Sequence, residues 1–132
     1  MKRTLTALTF ALSTALAVPA LAGGVISFEV NPTNADEANA IRTGLALYNI
    51  VNDIQTNGHI TQNGINNMAA LGQSGNGNVG VIRQEGNNHN ASLNQNGNGN
   101  AYGIFQVGNG ASGYVNQVGN GGTGLLFQIG LD

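Results

Sequence analysis

Histidine, cysteine and paired carboxylates carry most protein chemistry, and this sequence supplies few of them in useful company. Cysteine is absent, and the two histidines, His59 and His89, have no partners at metal-ligand spacing. Asp53 and Glu85 have no evident partner for general acid–base work. Gly75-Asn-Gly77-Asn-Val-Gly80 matches the dinucleotide fingerprint, but no strand–helix–strand unit surrounds it and its glycines belong to a longer repeat. Calcium-binding Gly-rich repeats carry Asp, and these have none before Asp132. The residues therefore predict no catalytic, cofactor-binding or metal-binding residues, and no enzyme.

The residue type that does recur at fixed spacing is glutamine. Gln62, Gln73, Gln84, Gln95, Gln106, Gln117 and Gln128 lie 11 residues apart without insertion. Gly64, Gly75, Gly86, Gly97, Gly108, Gly119 and Gly130 follow each at two residues. Asn76, Asn87, Asn98, Asn109 and Asn120 come next in five units. Two residues before the glutamines stand Leu71, Ile82, Leu93, Ile104, Val115 and Leu126, with Ile60 in the same place before Gln62. The chemistry open to such a set is hydrogen bonding between side-chain amides, each with two donors and an acceptor oxygen.

The unit aliphatic-x-Gln-x-Gly-Asn reads as a strand followed by a turn. The aliphatic residue and Gln share one face because strand side chains alternate, and Gly-Asn tolerates the positive φ of a turn. Two or three glycines in most units argue against helix, at about 1 kcal/mol each relative to Ala. Two units then make one 22-residue turn of a flattened coil with a strand in each of two facing sheets. Gln62, Gln84, Gln106 and Gln128 stack in one sheet and Gln73, Gln95 and Gln117 in the other, as in cross-β ladders. Small residues at Ala69, Gly80, Ala91, Gly113 and Gly124, with Tyr102 the exception, let the sheets approach. The predicted fold class is mostly β, a β-solenoid or cross-β array with a short N-terminal helical segment.

Three segments are expected. Residues 1–22 carry a basic start, an apolar run from Leu5 to Val18 and Ala20-Leu21-Ala22, the pattern of a secretory signal peptide. Residues 23–60 hold a strand around Val25–Val30 and a helix capped by Asn34 with Glu37 three residues on. That helix has Ala38, Ile41, Leu45 and Tyr48 on one stripe, widened by Leu47, Val51 and Ile54. It is expected to pack on one end of the array, with a cap or an export signal as the sharper alternative. Residues 61–132 are the repeat region. After removal of the signal, two arginines face six acids, a net charge of −4 that argues against nucleic acid. Between Glu85 and Asp132 no charged side chain interrupts the array, and Phe105, Val107, Tyr114, Val118, Leu125, Phe127 and Ile129 gather on outward positions as a candidate contact patch.

The stretch Gln62-Asn-Gly64-Ile-Asn-Asn67-Met-Ala69-Ala-Leu-Gly-Gln73 resembles the curlin repeat pattern Q-x-G-x-x-N-x-A-x-x-x-Q in full. Later units keep Gln and Gly but vary the Asn place, with Asn78 and Asn100 against His89, Ala111 and Gly122. The resemblance implies a secreted subunit of a curli-like bacterial amyloid fibre that supports adhesion and biofilm matrix. It implies as partners other copies of itself, a related major or nucleator subunit, and an outer-membrane secretion channel. It also implies passage through the periplasm to the cell surface, where the formal sequon Asn90-Ala-Ser92 would stay silent. The competing expectation is a monomeric β-solenoid that binds a polysaccharide or ice, which calls for a regular outward ladder and capped ends.

Overall fold

The computed structural model describes residues 24–51 and 58–131. The expected signal peptide, Asp53 and Ile54 lie outside them. Seven strands form the repeat array: β2 (Gly58–Asn63), β3 (Met68–Ser74), β4 (Val79–Asn87), β5 (Asn90–Asn96), β6 (Ala101–Asn109), β7 (Ser112–Val118) and β8 (Thr123–Leu131). They alternate between two sheets. One runs β8-β6-β4-β2 and the other β3-β5-β7, all in parallel pairs. Partners are 22 residues apart, so Ile60, Ile82, Ile104 and Leu126 share one column and Gln62, Gln84, Gln106 and Gln128 another. The chain is a β-solenoid of 22-residue turns.

Glycine makes that register possible at the turns. Gly64, Gly75, Gly86, Gly97, Gly108 and Gly119 have positive φ, and a Cβ on any of the first five would collide with the carbonyl oxygen of the glycine one turn on. Backbone stacks directly on backbone there, which only Gly allows. Gly130 departs from the expectation of a turn. It lies within β8, without a positive φ, because the chain there is held as a strand between Gly108 and Val25.

Two cores form. Between the sheets, Ile82, Leu93 and Ile104 are fully buried, Ala91, Tyr102 and Leu126 nearly so, and Leu71 and Val115 pack against them partly buried. The second core lies outside the first sheet. Helix α1 (Ala35–Val51) starts on Asn34, whose Oδ1 accepts from Glu37 N–H at 2.9 Å, while the Glu37 carboxylate accepts from Thr33 N–H at 2.7 Å. It buries Ile41 and Leu45 against Val81, Ala101, Phe105, Leu125 and Phe127. The helix therefore covers a face of the array, where packing on its end was expected. Leu47, counted in the apolar stripe, is exposed.

β1 (Val25–Val30) joins the first sheet as its fifth strand, antiparallel to β8. The outer edge of β8 is thus occupied by the chain's own N-terminal segment.

Candidate assembly site

The glutamines point inward and form two continuous ladders. In the first sheet Nε2 of Gln62 donates to Oε1 of Gln84 at 2.8 Å, Gln84 to Gln106 at 2.8 Å, and Gln106 to Gln128 at 2.7 Å. In the second, Gln73 donates to Gln95 and Gln95 to Gln117, each at 2.8 Å. The second N–H of each inner amide crosses to the facing sheet. Gln84 reaches the Met68 carbonyl at 2.8 Å, Gln95 reaches Val79 at 3.0 Å, Gln106 reaches Asn90 at 2.9 Å and Gln128 reaches Ser112 at 2.6 Å. Each amide therefore ties its strand to the next turn and to the other sheet. A buried amide left unmade would cost about 1–3 kcal/mol, and Gln84, Gln95 and Gln106 are wholly buried.

The small residues four positions before each Gln make room for this. A Cβ on Gly80 would sit 3.1 Å from Oε1 of Gln95 and 2.9 Å from Cδ1 of Leu71, and one on Gly113 would sit 2.7 Å from Oε1 of Gln128. Glycine at these places serves clearance for the facing amide.

Asparagines add two further ladders. At the turns, Oδ1 of Asn87, Asn98 and Asn120 accepts from the backbone N–H of Ile65, Asn76 and Asn98, each at 2.9 Å. At the strand entries, Asn78 Nδ2 donates to the Ser74 and Gly97 carbonyls while its Oδ1 accepts from Asn100 N–H at 3.0 Å. His89 holds the equivalent place in the other strand-entry column, between Asn67 and Ala111, and does the same work: its Nδ1 accepts from Ala111 N–H at 3.2 Å and its Nε2–H donates to the Glu85 carbonyl at 3.1 Å. The imidazole reproduces the acceptor and donor of an Asn amide, which fixes the tautomer with the proton on Nε2.

Four features escaped the sequence reading. Arg42 reaches from α1 over two turns, donating to the Gly99 carbonyl at 2.7 Å and the Gly121 carbonyl at 3.0 Å. Tyr102, the one large residue in the small-residue column, lays its ring over Gly124 and donates from its hydroxyl to Glu29 of β1 at 2.6 Å. Burial, then the bond to Glu29, push the Tyr102 phenol well above its ordinary range. Arg83 and Glu85, two apart and expected on the outward face as a surface pair or gatekeeper, do pair, and the unforeseen part is that Arg83 also donates to the Tyr48 hydroxyl of α1 at 3.2 Å. The fourth is a stack in which Phe127 sits on Phe105 at 5.2 Å and Phe28 of β1 on Phe127 at 5.3 Å. The gathered outward patch is accordingly divided. Phe105, Leu125 and Phe127 lie under α1, Val107 and Ile129 are exposed on the first sheet, and Tyr114 and Val118 are exposed on the second.

A repeat of 22-residue turns with an inward Gln ladder is the pattern to compare with known families. Residues 64–97 match the family model of the curlin associated repeat. That segment, about a quarter of the chain, carries the curlin repeat. The matched segment runs from the first turn glycine to the fourth and contains Asn67, Asn78 and His89 of the two strand-entry columns. No curated protein and no solved structure matches the chain.

Proposed function

We propose that this β-solenoid protein is a structural subunit of a secreted curli-like fibre that grows by cross-β stacking of copies end to end. The observation that carries this is the direction of the Gln ladders. Every rung donates from the lower unit to the higher one, from Gln62 toward Gln128 and from Gln73 toward Gln117. A ladder with a direction is continued only by a copy added head to tail, with its first glutamines meeting the last ones of its neighbour. At the other end β2 and β3 are edge strands, which present backbone donors and acceptors to another chain. Stacking in register lets each added turn bury the same Gln, Asn and aliphatic columns as the turn before it.

On this reading the inward amides are the stacking groups, the glycines set the spacing between turns, and the aliphatic column supplies the dry interior. The curlin-repeat match over residues 64–97 supports export across the outer membrane, a place in an extracellular fibre beside related subunits, and a part in adhesion and biofilm matrix. The test is direct. The purified chain is incubated at micromolar concentration and followed by thioflavin fluorescence and fibre diffraction. Fibres with reflections near ~4.8 and ~10 Å are expected. A chain that remains monomeric by sedimentation, even when seeded with its own aggregates, refutes the proposal.

A further inference from the structure

The edge of β8 is where a stacked neighbour has to bond, and β1 occupies it. β1 is not a repeat strand: it runs antiparallel, contains no Gln and ends at Asn31-Pro32. It satisfies part of what β8 offers. Phe28 extends the Phe105–Phe127 stack, Glu29 accepts from Tyr102, Leu131 N–H donates to the Gly24 carbonyl at 2.8 Å, and Val30 is buried with Ile41 and Leu45.

The match fails at the two inward columns that define the repeat. From β1, Gln128 Nε2 is offered the Ser27 hydroxyl, at 3.3 Å, where every lower rung closes on a Gln oxygen of the next turn at 2.7–2.8 Å. Opposite Leu126 stands Glu29, where a repeat strand places an aliphatic residue. A repeat strand is therefore the better partner for β8, rung by rung. β1 has the advantage of its tether, since a linked segment acts at an effective concentration on the order of millimolar.

We propose that β1 is a displaceable plug on the β8 edge, and that its replacement by a repeat strand of a second copy is the step that admits fibre growth. The inference rests on the stacking function proposed above and adds a gate to it. At micromolar concentration the tethered strand keeps β8 closed. A neighbour that supplies the missing Gln rung and aliphatic column together displaces it. Among the described residues the β2–β3 end carries no such strand, so growth is gated at one end of each subunit.

The test locks the plug. Ile26 and Ile129 are direct cross-strand partners, and Ile129 is exposed. Their spacing in an antiparallel pair, about 4.5–5.5 Å between Cα atoms, suits a disulfide. With no native cysteine, I26C/I129C forms one defined bond. The oxidised chain is expected to lose elongation, and a reductant to restore it to the rate of the unmodified chain. Phe28→Ala removes an aromatic pair worth about 0.5–1.5 kcal/mol, and is expected to shorten the lag about three- to tenfold. Oxidised and reduced chains growing at the same rate would overturn the plug while leaving stacking intact. If the unmodified chain grows no fibre, the stacking reading fails and takes the plug with it. If the cysteine pair fails to grow even when reduced, Phe28→Ala decides: an unchanged or longer lag overturns the plug.

Discussion

Replacing Gln106 with Leu tests whether the inward amides or the aliphatic residues hold the turns together. Gln106 is wholly buried and takes part in three hydrogen bonds: it accepts from Gln84 and donates to Gln128 and to the Asn90 carbonyl. Leucine is similar in volume and leaves all three partners short of one bond. At about 1–2 kcal/mol for each under-satisfied group, the loss is roughly 3–6 kcal/mol. Burying the apolar side chain returns about 1.5–2 kcal/mol, so the net cost is about 2–4 kcal/mol. Gln62 is exposed at the end of the same ladder and makes one such bond, to Gln84, so Gln62→Leu costs about 0.5–1.5 kcal/mol. Equilibrium urea unfolding of the freshly prepared soluble chain, followed by circular dichroism, separates the two. With a slope of about 2 kcal/mol/M, the midpoint falls by about 1–2 M for Gln106→Leu and by well under 1 M for Gln62→Leu. In the assembled fibre Gln62 gains the neighbour it lacks, and its substitution should then cost as much as that of Gln106, read as the denaturant needed to dissolve fibres. Equal midpoints for the two soluble variants, or a Gln106→Leu chain as stable as the parent, would refute the view that the ladder stabilises the turns.

Further predictions concern the residues around the ladders. His89→Asn should leave stability within about 1 kcal/mol of the parent, because an amide can serve both hydrogen bonds, whereas His89→Leu should cost about 1–3 kcal/mol in the same urea assay. Gly124→Ala pushes a methyl group into the buried Tyr102 ring and should cost about 1–3 kcal/mol, with Tyr102→Leu in the same chain recovering part of the loss. Arg42→Ala should speed amide exchange at Gly99 and Gly121 more than in β4 or β6, since its two bonds hold turn carbonyls. The Tyr102 phenol is raised in the folded chain, so its contribution is fully present below the ordinary phenol range near ~10 and is lost as pH rises above it. Tyr102→Phe, which has no phenol to ionise, should flatten that alkaline fall in stability, read as the urea midpoint against pH.

The legible part of this fold is the part that repeats. A strict 11-residue spacing carries both the position of each Gln and, through the period-2 alternation, its inward face. The two ladders and the aliphatic column followed from nothing more. Glycine at the turns was legible as a need for positive φ, but its second role was not: at Gly64 and Gly75 the carbonyl of the next turn sits where a side chain would be. That is a property of two turns in contact, which no single unit displays. His89 looked like a break in the Asn column because residue identity was compared. The structure compares donor and acceptor positions, and by that measure imidazole and amide are the same part.

What stayed hidden is where the unrepeated segment docks. The alternation of Val25–Val30 marked a strand and Asn34-x-x-Glu37 a capped helix, but a strand's partner is a tertiary fact. The outward residues of the last units contained the answer in an undivided form. Phe105, Leu125 and Phe127 are apolar because α1 covers them, and Phe28 completes their stack from β1. Val107 and Ile129, one step along the same strands, have no such cover and remain exposed. The sequence placed seven outward residues in one patch, and the helix removes three from any contact between copies. Lateral contact, if copies make it through apolar residues, is left to Val107 and Ile129 on one sheet and Tyr114 and Val118 on the other. These two pairs lie on opposite faces of the solenoid, so neither Val118→Lys nor Ile129→Lys alone should abolish bundling if both faces are used. End-to-end growth should survive the double substitution, because the ladder that drives it points inward.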